Sequence, residues 1–342
     1  MAPINNTRIL RAKYATDHVL TVDNFKQDTV QLDATLQAAE ILVRTLYLSL
    51  DPITRLSFND PHAKVSTLNQ VITGFGLGEV IESKDPDFPR GAIVLGSNLP
   101  WESVSRISNK AGLSVIEDAR NPKIPMCAYL NVLGVTGLTA WAAVDTIVKK
   151  FKKDQVVYIS SAAGPLGTFF AILAKCEGAF VVGSAGSDDK MQYLLENIGL
   201  DACFNYKTQD ARAELAKAAP QGLDIYIDLV GNETLDIALE KIKDNGLVVA
   251  VGNFESAAGK AEYVFKNMMQ IIFKALRVEG FAVFQHLHRY PDFWADVKPR
   301  VENGQIKVQD TIVVGLEKIA EVYVDYMNGK YTGKVIIQVN SL

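Results

Sequence analysis

The chain has 342 residues, 48% of them hydrophobic, which is enough for about two domains with full cores. Lys and Arg total 35 against 39 Asp and Glu, and this formal charge of −4, with its signs interspersed, argues against a nucleic acid or other polyanionic partner. No apolar run reaches the roughly 18 residues of a membrane span, and Met1-Ala2-Pro3-Ile4-Asn5-Asn6 lacks the charged and apolar regions of a secretion signal, so a cytoplasmic protein with no membrane association is expected.

Residues 1 to about 120 read as short strands with turn signals between them. Glu40–Ser49, Val71–Glu82 and Ala92–Gly96 are extended, and Asp85-Pro86-Asp87-Phe88-Pro89-Arg90-Gly91 turns the chain between the last two. From Pro125 the pattern changes to alternating helix and strand. A helical segment near Thr139–Val148 precedes strands at 155–160, 180–183, 202–204, 224–229 and 247–251. Such alternation predicts an α/β doubly wound parallel sheet. Past Phe281, Tyr290–Glu302 reads as helix, Ile306–Val314 as strand, Leu316–Asn328 as helix and Lys334–Val339 as strand. These elements are expected to return to the first domain. The predicted organisation is therefore a β-rich domain from residues 1–122 and 291–342 around an inserted Rossmann domain at 123–290, with the site at the carboxyl ends of its strands.

The segment Gln155–Tyr206 carries the chemistry. Val156-Val157-Tyr158-Ile159-Ser160 is a β-branched, apolar strand that breaks into Ser161-Ala162-Ala163-Gly164-Pro165-Leu166-Gly167 before a helical pattern over Phe169–Glu177. A strand feeding a turn of small residues brings backbone N–H groups and the positive end of a helix to a pyrophosphate, and Gly167 lets helix and strand pack closely. Pro165 suits the first helical turn, where its missing N–H costs little. Ser161 stands at the first glycine of G-x-G-x-x-G, which leaves an ordinary strand-to-helix turn as the alternative.

After the next strand, Phe180-Val181-Val182-Gly183, an NAD enzyme places an acid for the ribose 2′-hydroxyl. This chain has none there. It offers Lys190 and, after the following strand, Asn205-Tyr206-Lys207. A cation beside a 2′-phosphate makes a charge-assisted contact, so NADPH is the expected coenzyme. The alternative for Lys190 is a solvated residue in a first helical turn. Cys127, Cys176 and Cys203 are few and widely spaced, which fits neither a disulfide framework nor a metal site, and they read as small core residues. Of the four histidines, His18, His62, His286 and His288, the last two would share one face of a strand but have no third ligand nearby in sequence, so no metal is expected.

The chain resembles the medium-chain dehydrogenase/reductase superfamily over nearly its whole length, in particular the zinc-independent branch of prostaglandin and leukotriene reductases and plant alkenal double-bond reductases. The residues that carry the likeness are Leu48-Ser49-Leu50-Asp51-Pro52-Ile53-Thr54-Arg55, Gly134-Val135-Thr136-Gly137-Leu138-Thr139-Ala140-Trp141, the glycine turn, Gly186-Ser187-Asp188-Asp189-Lys190, Phe204-Asn205-Tyr206-Lys207, Asp228-Leu229-Val230-Gly231 and Gly329-Lys330-Tyr331-Thr332-Gly333-Lys334. The resemblance implies a GroES-like barrel built from both chain ends. It implies coenzyme contacts at Gly164, Pro165, Leu166 and Gly167, at Lys190 and Tyr206, at Val251, Gly252, Asn253 and Phe254, at Phe281, Ala282 and Val283, and at Tyr331. Read from the residues alone, the alternatives are a strand-end aromatic for Tyr206 and plain core for Phe281-Ala282-Val283.

Zinc-dependent relatives carry a Gly-His-Glu motif, whereas Gly74-Phe75-Gly76 places Phe75 at the histidine, and no four-cysteine lobe is present. The resemblance thus implies NADPH-dependent reduction of a carbon–carbon double bond conjugated to a carbonyl, on a small-molecule substrate and in a possible homodimer. The alternatives are a quinone or carbonyl reductase and a non-catalytic NADPH-binding protein. Ile53 and Ala257 stand where the relatives have tyrosines, Tyr331-Thr332 and Leu229 where they have asparagines, so the substrate pocket is expected to be apolar and the catalytic residue is not identified.

Overall fold

The computed structural model describes residues 3–15, 19–58, 67–254 and 263–342. Two compact units result, Met1–Leu130 with Asp310–Leu342, and Asn131–Gln309. In the first, β1 (Ile4–Arg11) and β2 (Phe25–Leu32) pair antiparallel, and a second sheet holds β3 (Ile41–Ser49), β4 (Thr73–Ser83), β5 (Ile93–Pro100), β6 (Val104–Ile107) and β7 (Leu113–Val115). Strand β4 is rich in glycine because its neighbours come too close for side chains: a Cβ on Gly78 would stand 2.3 Å from Val43 Cγ1 of β3.

The second unit is a parallel sheet in which β8 (Val156–Ile159), β9 (Phe180–Ala185), β10 (Ala202–Asn205), β11 (Leu223–Asp228), β12 (Ile242–Ala250) and β13 (Arg277–Gly280) lie in the order β10-β9-β8-β11-β12-β13. The chain moves outward from β8 in one direction and then from β11 in the other, so the switch point lies between those two strands. Helices α1 (Val135–Ala143), α2 (Pro165–Cys176), α3 (Asp188–Gln192), α4 (Ala211–Ala218) and α5 (Asn232–Lys241) belong to this unit. Apolar side chains fill it, among them Val182, Phe204, Leu215, Leu239 and Val248, because a sheet covered on both faces must be hydrophobic on both. The sixth strand, β13, is not in the sequence expectation. It is an edge strand of alternating charge, Arg277-Val278-Glu279-Gly280, and only its register with Leu247–Ala250 makes it a strand.

Beyond α6 (Met269–Phe273) and α7 (Tyr290–Glu302), the chain supplies β14 (Asp310–Val314), α8 (Ile319–Met327) and β15 (Lys334–Gln338) to the first unit, where β15 runs antiparallel to β3 with Ile336 opposite Ser49. Both chain ends thus build one sheet. The division between units falls later than the expected 122/123 and 290/291 boundaries. The reason for the second shift is α7, whose Trp294 indole donates to Leu133 O at 2.8 Å and whose Phe293 ring lies 5.8 Å from Trp141 of α1.

Candidate functional site

Every coenzyme residue expected in the second unit lies after the carboxyl end of a parallel strand, in the connecting turn or in the helical turn that follows it. After β8 the chain turns through Ser161, whose φ of 50° is the left-handed conformation that glycine adopts freely, which explains the glycine of the usual motif. Gly164 caps α2 with extended backbone and Pro165 opens its first turn. The N–H groups of Leu166 and Gly167 therefore fall among the first-turn donors that have no partner within a helix. Gly167 is required by packing: its Cβ would stand 2.6 Å from Ser161 O and 2.7 Å from Ala162 Cα, both rigid backbone atoms.

At the ends of β9 and β10, Lys190, Tyr206 and Lys207 converge. Ser187 caps α3 by accepting from Lys190 N, and Asn205 Nδ2 donates to Asp188 Oδ1 at 2.8 Å, tying the β10 turn to α3. A Cβ on Gly186 would meet Tyr206 Oη at 2.9 Å and Lys207 Cε at 3.2 Å, so glycine leaves room there for the phenol and the second lysine. Burial, and then the charge of Lys207, holds the Lys190 ammonium below the usual lysine range. A phenol and one lysine beside a glycine, with a second lysine close enough to feel that charge, suit a phosphate monoester. Lys207 was legible beside Tyr206 in sequence, but its approach to Lys190 is set by the β9–β10 register.

Around the switch point a buried polar network shapes the remaining loops. Asp228 Oδ1, at the end of β11, accepts from Tyr226 Oη at 2.8 Å, Gly231 N at 2.8 Å and Val230 N at 3.2 Å. Its backbone carbonyl accepts from Val251 N at 3.0 Å and Gly252 N at 3.2 Å, and Leu229 O from Phe254 N at 3.3 Å. Ser160 Oγ accepts from Leu229 N at 3.0 Å. Burial, and next the nearby Asp228 carboxylate, raises the Tyr226 phenol, which therefore stays a donor. The loops bearing Val251, Gly252, Asn253 and Phe254 thus hang on Asp228. Phe281 N bonds Ala250 O at 2.9 Å, and the Phe281 ring stacks on His286 at 4.7 Å, while Ala282 is exposed and Val283 half-buried.

In the first unit Ile53 is exposed on the 3₁₀ helix Pro52–Phe58, and Tyr331 is half-buried before β15. Ala257 lies outside the described residues, as do His18 and His62. Tyr263, which follows the Ala257 segment, turns its hydroxyl to Asp236 at 3.2 Å, and Asp236 also accepts from the backbone of Lys266 and Asn267. Tyr263 is thereby a tether for its segment. His286 joins two consecutive 3₁₀ turns and His288 lies in the second, so neither is on a strand. Among the described residues no group of three or more His, Cys, Asp or Glu is arranged to hold a metal ion. Burial pushes the Cys127 and Cys203 thiols up to about 12, whereas Cys176, expected in the core, is exposed at the end of α2 with Arg300 Nη2 donating to its sulfur at 3.4 Å.

Residues 8–116 match the family described as "N-terminal domain of oxidoreductase" and residues 165–298 the family described as "Zinc-binding dehydrogenase". A 2-alkenal reductase (NADP(+)-dependent) of Nicotiana tabacum is 32% identical over 98% of this chain and 98% of its own length. This chain belongs to the medium-chain dehydrogenase/reductase superfamily. Other superfamily relatives are (+)-pulegone reductase of Mentha piperita, 32% identical over 88% of both chains, and prostaglandin reductase 1 of Bos taurus, 31% identical over 93% of this chain and 94% of its own. Among solved superfamily structures, CurA from Vibrio vulnificus in complex with NADPH is 25% identical and superposes with a TM-score of 0.87 over 98% of this chain and 100% of its own. Zinc in the name of the matching family describes that family at large; here Phe75 of β4, half-buried, stands at the position of the histidine in the resemblance.

Proposed function

We propose that this chain is an NADPH-dependent reductase of carbon–carbon double bonds conjugated to a carbonyl, acting on an apolar small molecule in the cytoplasm. The observation that carries the coenzyme half is the placing of Tyr206 and Lys207 beside Gly186, with Lys190 near enough to feel the charge of Lys207, a fit to the 2′-phosphate that separates NADPH from NADH. Phe75 supports the other half, because without a histidine at that position the carbonyl lacks the zinc site through which metal-dependent relatives polarise it.

Bound NADPH supplies the hydride. The protein supplies grip and orientation: the first turn of α2 with Leu166 and Gly167 holds the pyrophosphate, and Val251–Phe254 with Phe281–Val283 frame the nicotinamide. By the resemblance, Tyr331 is a further coenzyme-contact residue and Ile53 a substrate-facing one in the first unit, while Ala257 lies outside the described residues. With neither phenol of the relatives present and Tyr263 bound to Asp236, the α-carbon takes its proton from water. The loss of both phenols also favours a quinone as second reading, since a quinone's reduced oxygens are protonated readily by solvent.

The protein is further proposed to be a homodimer. Strand β13 leaves one edge of the parallel sheet unpaired among the described residues, and α6, which precedes it, exposes Met269, Ile272 and Phe273, the last two by 70% and 72%. A second copy related by a two-fold axis meets the same edge with the same apolar residues, so the surface is complementary to itself.

NADPH oxidation measured side by side with an enone, a quinone and a saturated aldehyde tests the activity. Fastest turnover is expected on the enone, unchanged by chelator, in protein free of stoichiometric zinc by elemental analysis. A preference for the quinone selects the second reading, and one zinc per chain overturns the metal-free account.

A further inference from the structure

Side chains of the 3₁₀ helix Pro52–Phe58 divide cleanly by position. Thr54, Arg55 and Phe58 are buried, at 8%, 1% and 0% exposure, whereas Ile53 and Leu56 are open at 48% and 41%. A 3₁₀ helix has three residues per turn, so residues i and i+3 eclipse and these two aliphatic side chains form one face.

That helix starts from a fixed base. Asp51 is paired with Lys334 of β15 and accepts from Ser49 Oγ, and its backbone carbonyl accepts from Tyr323 Oη at 3.0 Å and from Thr54 N at 3.2 Å. Tyr323 packs its ring 5.7 Å from Trp101 and 5.9 Å from Phe25, and Phe25 lies 4.8 Å from Phe58 at the helix's other end. Both ends of the helix are therefore held by buried groups. Exposed aliphatic side chains on a rigid support lose little freedom when something apolar covers them, the condition for a preorganised contact.

We infer that Leu56, one turn beyond Ile53, is a further specificity residue that contacts the alkyl portion of the substrate. This rests on the reading of Ile53 as a wall of the substrate site and extends that wall by one residue, because two stacked aliphatic side chains offer a strip longer than a conjugated carbonyl alone requires. Neither side chain carries a hydrogen-bonding group, so the strip discriminates by length and hydrophobicity and leaves the carbonyl to other groups.

The test is the ratio of kcat/KM for non-2-enal to that for crotonaldehyde, measured with saturating NADPH on the whole protein. In Leu56→Ser the ratio should fall about tenfold, the discrimination that one or two methylene contacts supply, with the KM for NADPH unaltered. Leu56→Phe, which restores apolar area, should recover most of the ratio. An unchanged ratio in Leu56→Ser, in protein whose unfolding midpoint matches the parent's, overturns the inference while leaving the proposed activity standing. A parent protein that binds NADPH but reduces neither enal removes both.

Discussion

Lys190 and Lys207 repel one another, and in the proposed 2′-phosphate site that repulsion would add to the selectivity. Burial and the neighbouring cation lower the Lys190 ammonium's pKa, so a dianionic 2′-phosphate gains more there than beside an isolated surface lysine. Lys190→Ala should weaken NADPH by about tenfold or more while hardly affecting NADH, matching a charge-assisted contact of roughly 1.5–3 kcal/mol. The sign of the pH effect follows from the lowered pKa. The ammonium is the form that binds phosphate, and it is lost as pH rises through a value below that of an ordinary lysine. The ratio of NADPH to NADH affinity should accordingly decline at alkaline pH before ordinary lysines titrate, as read from fluorescence titrations across a pH series. A ratio that stays flat through the ordinary lysine range would remove Lys190 from the phosphate site.

At the level of elements, the turns after β11 and β12 behave as one piece because both are hydrogen-bonded to Asp228. Its carboxylate holds Val230 and Gly231 at the start of α5, and its carbonyl holds Val251 and Gly252. Asp228→Ala takes the acceptor from two backbone N–H groups and from Tyr226 Oη, so a loss of about 2–4 kcal/mol is expected in urea denaturation, together with a raised KM for NADPH. Ser160→Ala, which removes the acceptor for Leu229 N alone, should cost about 1 kcal/mol. Equal stability of Asp228→Ala and the parent would show that the turn after β11 is held by other contacts, the turn after β12 keeping its bonds to the backbone carbonyl of residue 228.

The whole molecule is predicted to depend on its sheet edge. Replacing Ile272 and Phe273 of α6 together by Asp puts two charges on each copy's apolar face and doubles them across a two-fold axis. Sedimentation velocity should show a dimer for the parent and a monomer for this double variant, with far-UV circular dichroism unchanged, since both side chains are exposed in the single chain. A parent that sediments as a monomer at assay and at high concentration refutes the dimer.

The local grammar of the second unit was readable in the chain itself. Val156–Ile159, the turn Ser161–Gly167, Pro165 at the helix start and the helix Tyr290–Glu302 follow from β-branched runs, turn residues and helical periodicity, which act within a few residues. The pattern past Phe281 leads to the expectation that those elements return to the first domain, and Ile336 of β15 pairs opposite Ser49 of β3. What the tertiary structure decided are meetings between residues far apart. Strand β13 carries too few apolar residues to announce itself and forms because β12 offers it a free edge. Helix α7 reads as a helix from its sequence, yet only Trp294 and Phe293 against Leu133 and Trp141 assign it to the second unit. Lys207 meets Lys190, and Tyr263 turns to Asp236, because strand register and helix packing carry them there. Periodicity reports which face of an element is apolar, and it holds no record of what that face will touch.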